Sequence, residues 1–233
     1  TALESGKDHS LTSTLTDEAG NTSAPSDALV IHVDTSQLSL TIEQVLDNEG
    51  NAPTAVSDGG RTNDKTPTFE GQATAGATVT IYEGSTAIGS TTADASGHWS
   101  VTLPEQSEGV HSYTAQALNA AGNTVSAQFA LEVDTTPSSV PSIESVKDDV
   151  GTVQTDVAHG GITDDTTPTL VGKGTAGDTI RIYDNASLVG TTKVQANGEW
   201  SYTVNPALTV DGEHKFTVTS VDSVGNESAA SAE

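Results

Sequence analysis

The sequence predicts an all-β protein made of small sandwiches joined end to end. Three observations predict it: apolar and polar residues alternate over short runs, Gly-bearing turn clusters separate those runs, and the whole pattern recurs after about a hundred residues. Residues 62–99 match 163–200 without a gap, an offset of 163 − 62 = 101. Thr-Pro-Thr, Thr-Ala-Gly, Ile-Tyr and Gly-x-Trp-Ser all coincide. Further on the offset is 214 − 111 = 103, so His111 falls on His214, Tyr113 on Phe216 and residues 119–123 on 222–226, and a two-residue loop insertion accounts for the change. Residues 1–34 repeat only the end of the unit, with His9 aligned to His111 and Val33-Asp34 to Val133-Asp134. The expected division is therefore 1–34 as the C-terminal strands of a first domain, 35–134 as a complete second domain and 135–233 as a complete third.

Within a unit the strands follow in order from Val79 and Ile81, through Ala87 and Ile88, to Trp99, Val101 and Leu103, then Tyr113, Ala115 and Ala117, and finally Phe129, Leu131 and Val133. Side chains two apart share one face of a strand, so each run reads as half-buried. Turn clusters such as Ala75-Gly76, Ser96-Gly97, Glu108-Gly109 and Ala121-Gly122 separate them. No helical period is sustained. About seven strands per hundred residues describes a sandwich of the immunoglobulin type, here as tandem immunoglobulin-like β-sandwiches arranged end to end. Trp99 and Trp200 recur with Tyr82 and Tyr183; exposed, such rings stack on sugars, but within an alternating strand they are expected to fill the core.

Composition removes several functions. Eight Lys+Arg against 32 Asp+Glu give a formal charge of −24, which excludes a nucleic-acid partner and disfavours an anionic membrane surface. Cys and Met are absent, so disulfides, thiol catalysis and thiolate metal sites are ruled out. No apolar run is long enough to insert in a membrane. Catalysis requires a nucleophile, a base and an orienting group brought together. His9, His111 and His214 occupy one repeat position, which implies a structural role, and His32, His98 and His159 have no zinc-like spacing. Paired carboxylates lie in repeated loops, not in a cleft, so no enzyme activity is expected.

Those loops hold the candidate site. Residues 47–67 and their partner 148–168 are polar, Gly-rich and acidic, and too long to lie unstructured in a compact domain unless something orders them. The expected metal ligands there are Asp47, Asn48 and Asp64 in the middle unit and Asp148, Asp149, Asp164 and Asp165 in the last. The linker residues Asp34 and Asp134 join them, as do Asn119, Asp222 and Asn226 of the hairpin loops before the last strands. Threading seven strands up and down places the acidic loop of one unit, the linker Asp and the hairpin loop of the next at one junction. Neighbouring carboxylates repel by about 1 kcal/mol per pair even in high dielectric. A cation reverses the sign, and hard oxygen donors favour Ca²⁺ over Mg²⁺ or Zn²⁺. Taken singly, each loop also reads as a plain turn, because Asp, Asn and Gly make local hydrogen bonds there; recurrence in register favours the metal. No EF-hand loop or Gly-rich calcium nonapeptide is present.

Val-Asp-Thr-Thr-Pro, Asp-Asp-x-Gly, Gly-Gly-x-Thr-Asp-Asp-Thr-Thr-Pro-Thr-Leu-x-Gly, Thr-Ala-Gly-Asp-Thr, Gly-x-Trp-Ser and Asp-x-x-Gly-Asn together make the chain resemble the tandem bacterial Ig-like domains of giant adhesins exported by type I secretion. The resemblance covers essentially the whole chain; Asn48 and Asn63 depart from it, standing where the family pattern prefers Asp. It implies a virulence-associated rod on the bacterial surface, with Ca²⁺ at the interdomain junctions and a host-binding region held away from the cell. The partners so implied are neighbouring repeats and the host surface, glycans included, with the chain itself monomeric. Two other readings are a module that binds host glycan directly and an accessory domain of a secreted hydrolase, which requires a catalytic domain elsewhere.

Overall fold

The computed structural model describes all residues except 1, 51, 153, 210 and 233. It divides into two compact units, Thr1–Val133 and Asp134–Glu233, and the described residues form strands and turns with no helix.

Unit 1 begins with the hairpin β1 (Lys7–Leu11) and β2 (Leu29–Val33). Its sandwich is built from β3 (Leu40–Asp47), β4 (Thr54–Val56), β5 (Gly60–Thr62), β6 (Thr68–Ala73), β7 (Thr78–Glu83), β8 (Thr86–Thr92), β9 (His98–Thr102), β10 (Gly109–Leu118) and β11 (Thr124–Val133). One sheet has the order β4-β3-β6-β9 and the other β5-β11-β10-β7-β8. Pairing is antiparallel except for β5, which runs parallel to β11. Unit 2 repeats the plan with β12 (Ser142–Lys147), β13 (Asp156–Val157), β14 (Thr169–Lys173), β15 (Thr179–Asp184), β16 (Ser187–Lys193), β17 (Glu199–Thr203) and β18 (Phe216–Val221). Its sheets are β13-β12-β14-β17 and β16-β15-β18.

The alternating residues meet between the sheets as expected. Phe69, Val79, Ile81, Trp99, Tyr113 and Leu131 form the core of unit 1, and Leu170, Ile180, Ile182, Trp200 and Val218 that of unit 2. Each large apolar side chain so buried contributes roughly 1.5–3 kcal/mol. Trp99 and Trp200 are each 1% exposed, which closes both indoles to a sugar. Glycine makes room for them: a Cβ on Gly172 would lie 1.9 Å from the Ser142 carbonyl oxygen and 2.5 Å from Trp200 Cζ2. Gly71 stands in the same relation to Thr41 and Trp99.

The repeated histidines are structural. Nε2 of the buried His111 donates to the Ser107 carbonyl at 2.8 Å, and its Nδ1 lies 2.6 Å from Glu83. His214 Nδ1 lies 2.6 Å from Asp184, and His9 Nε2 donates to the Glu4 carbonyl at 2.8 Å.

The long acidic loop of unit 1 is ordered by the protein itself. It contains β4 and β5, and β5 is fastened to β11 by Arg61, whose Nε and Nη2 donate to the two Glu132 oxygens at 2.7 and 2.9 Å. Asp58 caps the preceding turn by accepting from the Ala130 N–H at 2.7 Å. The order of this loop is thus no argument for a ligand, contrary to the inference from its length. At the matching place in unit 2 stands Ile162, 98% exposed, and residues 161–163 form no strand.

Candidate functional site

Asp47 is the last residue of β3, and Asp64 follows β5 by two residues. Both carboxylates are withdrawn from water, Asp64 to 1% exposure. Such a charge is stable only if donors surround it. Asp64 Oδ2 accepts from the Asn48 backbone N–H at 2.8 Å and from Asn48 Nδ2 at 3.1 Å. Its Oδ1 accepts from the Thr66 N–H at 2.7 Å and the Thr66 hydroxyl at 3.0 Å. Four bonds match the roughly four acceptor sites a carboxylate offers. Asp47 accepts from the Glu49 N–H and the Thr62 hydroxyl, each at 2.8 Å. The Thr62 oxygen in turn accepts from the Asp64 N–H at 3.0 Å, so one hydroxyl couples the two acids.

Unit 2 keeps this frame with fewer donors. Thr163 donates to Asp148 at 2.8 Å and accepts from the Asp165 N–H at 3.0 Å. Asp165 is 3% exposed and accepts from the Thr167 N–H and hydroxyl at 2.7 and 3.1 Å. Asp149 replaces Asn48, so the amide donor is gone and the backbone N–H stands 3.5 Å from Asp165. Asp164 lies against Gly151, where an added Cβ would come 2.8 Å from its carboxylate. The Asn-to-Asp exchange is therefore not a swap of equivalent oxygen ligands: it exchanges a donor for a further negative charge.

The linker residues engage the hairpin loops. In unit 1, Asn119 Nδ2 donates to the Asp34 carboxylate at 3.1 Å and Asn123 Nδ2 to the Asp34 carbonyl at 3.2 Å. Asp34 also accepts from the Ser36 N–H at 2.9 Å and the Ser36 hydroxyl at 2.6 Å. The hydroxyl first, then the N–H, hold its carboxyl below the ordinary 3.8. In unit 2, Asp222 Oδ1 accepts from the N–H groups of Val224, Gly225 and Asn226, each at 2.9 Å. Asn226 Nδ2 donates to Asp222 Oδ2 at 2.9 Å and to the Asp134 carbonyl at 2.8 Å.

In unit 1, then, Asp47, Asn48 and Asp64 meet in one group, and Asp34 and Asn119 in another. These lie at the two ends of β11, because residues 119–123 precede that strand and β5 runs beside its last three residues. In unit 2, Asp134, Asp222 and Asn226 meet, and Asp148, Asp149 and Asp165 share a second loop. Hard oxygens of Asp, Asn and Thr suit Ca²⁺. Within either unit, however, no three His, Asp or Glu side chains among the described residues converge closely enough to hold a metal ion. The hydroxyls of Thr62, Thr66, Thr163 and Thr167 and the amide of Asn123 were not singled out from the sequence. The repeated Thr-x-Asp-x-Thr of 62–66 and 163–167 was the signal that would have found the hydroxyls.

Two stretches, 40–135 and 138–233, match the family described as bacterial Ig-like domain. Exoglucanase B of Cellulomonas fimi is 31% identical over 221 residues, 93% of this chain but 19% of that protein; the chain thus spans about a fifth of the curated relative. Among solved structures, a Ca²⁺-stabilised adhesin that helps an Antarctic bacterium reach out and bind ice is 26% identical, covering 96% of this chain and 54% of that one at a TM-score of 0.41. A 1.5-MDa bacterial ice-binding adhesin is 19% identical over 92% of this chain and 69% of that one, at 0.42. A tetra-tandem repeat from the extending region of a large adhesion protein is 22% identical over 94% and 65%, at 0.31.

Proposed function

Because the chain belongs to the bacterial Ig-like domain family, we propose that it is a spacer segment of an extracellular bacterial surface adhesin. One observation supports this most directly. In unit 1 the entry residue Asp34 is held beside the start of β11, whereas the chain leaves at Val133, the end of the same strand. At about 3.3 Å per residue, those ends are on the order of 30 Å apart, so each domain of this kind adds length to the chain. The segment extends a host-binding region from the cell, as an exported, non-catalytic part of the adhesin.

Calcium stiffening belongs to the same proposal. Asp47, Asn48 and Asp64 of unit 1 and Asp134, Asp222 and Asn226 of unit 2 would supply hard oxygens to Ca²⁺, and the hydroxyl, amide and carbonyl oxygens beside each group would help complete the roughly six to eight that the ion takes. Small-angle scattering of the metal-free chain, with CaCl₂ or NaCl added at matched ionic strength, tests it. A longer, narrower distance profile with calcium alone is expected, and equal effects of the two salts would remove calcium from the reading.

The likeness to Exoglucanase B favours a second setting, a spacer in a secreted hydrolase, which keeps the mechanical role and changes its cargo. A glycan array and cellulose pull-down with this chain distinguish both from direct glycan recognition. Saturable binding would overturn the spacer reading.

A further inference from the structure

In unit 2, residues 158–162 are exposed in succession, and Ile162 stands 98% in solvent. Among the described residues, the backbone bond within this stretch runs from the Gly161 N–H to the Ala158 carbonyl at 2.7 Å, and the Ile162 N–H and carbonyl bond to no other residue. The counterpart in unit 1 is closed. There Asp58 accepts from the Ala130 N–H, the Gly59 N–H donates to the Ala130 carbonyl at 2.8 Å, and Gly60, Arg61 and Thr62 pair with Leu131, Glu132 and Val133. An endoprotease draws several residues in extended form into its cleft, so cleavage follows the population in which the backbone is free. Unit 1 must break the β5 ladder first, whereas 158–162 of unit 2 carries none. Leu15 and Val110, the next most exposed aliphatic residues, are held: Leu15 exchanges bonds with Ser23, and Val110 pairs with Glu132.

The structure assigns the Ile162–Thr163 bond as a site of limited proteolysis by an extracellular endoprotease whose specificity pocket takes an aliphatic side chain. Water adds across the amide: the C–N bond breaks, Ile162 ends in a carboxylate and Thr163 begins with an ammonium group. That ammonium forms on the residue whose hydroxyl donates to Asp148 at 2.8 Å, so a cation is placed in the acidic loop. The cut leaves the core intact, because Leu170, Ile180, Ile182, Trp200 and Val218 all lie after it. The strands β12 and β13 lie before it, and β12 stays paired with β14 from Ser142↔Lys173 to Lys147↔Thr169. Nicked unit 2 therefore remains assembled, with strand pairing in place of a covalent path. Under the spacer reading, on which this last step alone rests, tension on the nicked unit passes through the noncovalent contacts of β12.

The test is digestion of the full chain in EDTA, so that no metal contributes. Neutrophil elastase, whose pocket accepts a β-branched aliphatic side chain, is expected to cut first after Ile162, as located by fragment mass. The two fragments should co-elute on a native sizing column and separate in urea. Ile162→Arg then gives both loops the same Gly-Arg-Thr target, since Gly60-Arg61-Thr62 already stands in unit 1. A tryptophan unfolding transition like that of the native chain reports that this variant is folded. Trypsin is expected to cut after position 162 roughly tenfold or more faster than after Arg61, as where cleavage tracks the open population. A first elastase cut elsewhere, or equal trypsin rates at the two positions, overturns the site and leaves the spacer reading standing. Fragments that part on the native column overturn the assembled nick.

Discussion

Trp200 shows how much one side chain carries. It fills the space opened by Gly172, and Trp200→Ala is expected to cost about 3–5 kcal/mol, read as a lower urea midpoint with unchanged slope. Gly172→Ala should also destabilise, because the new methyl would meet both the Ser142 backbone carbonyl and the ring of the buried Trp200. Emission of the native chain should be that of a buried indole; a spectrum typical of indole in water would contradict the packing. Asp34 offers a finer test. Its folded value lies below 3.8, so its contribution is present above the unfolded value and is lost as pH falls through the lower folded one. A carboxyl-carbon NMR titration should place its midpoint below 3.8. Ser36→Ala, which removes the largest cause, should move the midpoint upward.

The acidic loop behaves as an element because one hydroxyl joins its two acids. Thr62→Val keeps the shape and removes that hydroxyl, leaving Asp47 and the Asp64 N–H each short of a partner. A loss of about 1–3 kcal/mol is expected, with faster hydrogen exchange at the Asn48 and Asp64 amides. Unchanged exchange there would mean that β4 and β5 hold the loop unaided. At this scale the sequence and the structure agree on what alternation reveals: the strand carrying Val79 and Ile81, the paired Trp positions, and the two ends of the sandwich at which Asp64 and Asn119 lie. The short strands β4 and β5 were not legible, since three residues such as Gly60–Thr62 are too few to show a period, and their pairing with β11 is parallel and distant in sequence. Donor satisfaction was equally hidden. The letters Asp47, Asn48 and Asp64 show oxygens, whereas the backbone N–H groups and hydroxyls that answer them belong to the fold.

For the whole molecule, the charge of −24 dominates behaviour in solution. Below about 10 mM salt the screening length reaches roughly 30 Å, and self-repulsion should expand the metal-free chain, measured as a larger radius of gyration that shrinks on adding NaCl. A radius independent of salt would show that the joints are already held. The pairing of β11 carries a mechanical consequence. Force pulling on Val133 along the strand acts across ladder bonds that lie perpendicular to the antiparallel strands, and β10 pairs with β11 along its full length, from Gly109↔Val133 to Leu118↔Thr124. Those bonds are loaded together in shear instead of being peeled one after another, and the parallel β5, with the Arg61–Glu132 pair upon it, must slip at the same moment. The strand nearest the exit is thus the one whose release under tension requires the most bonds to fail at once.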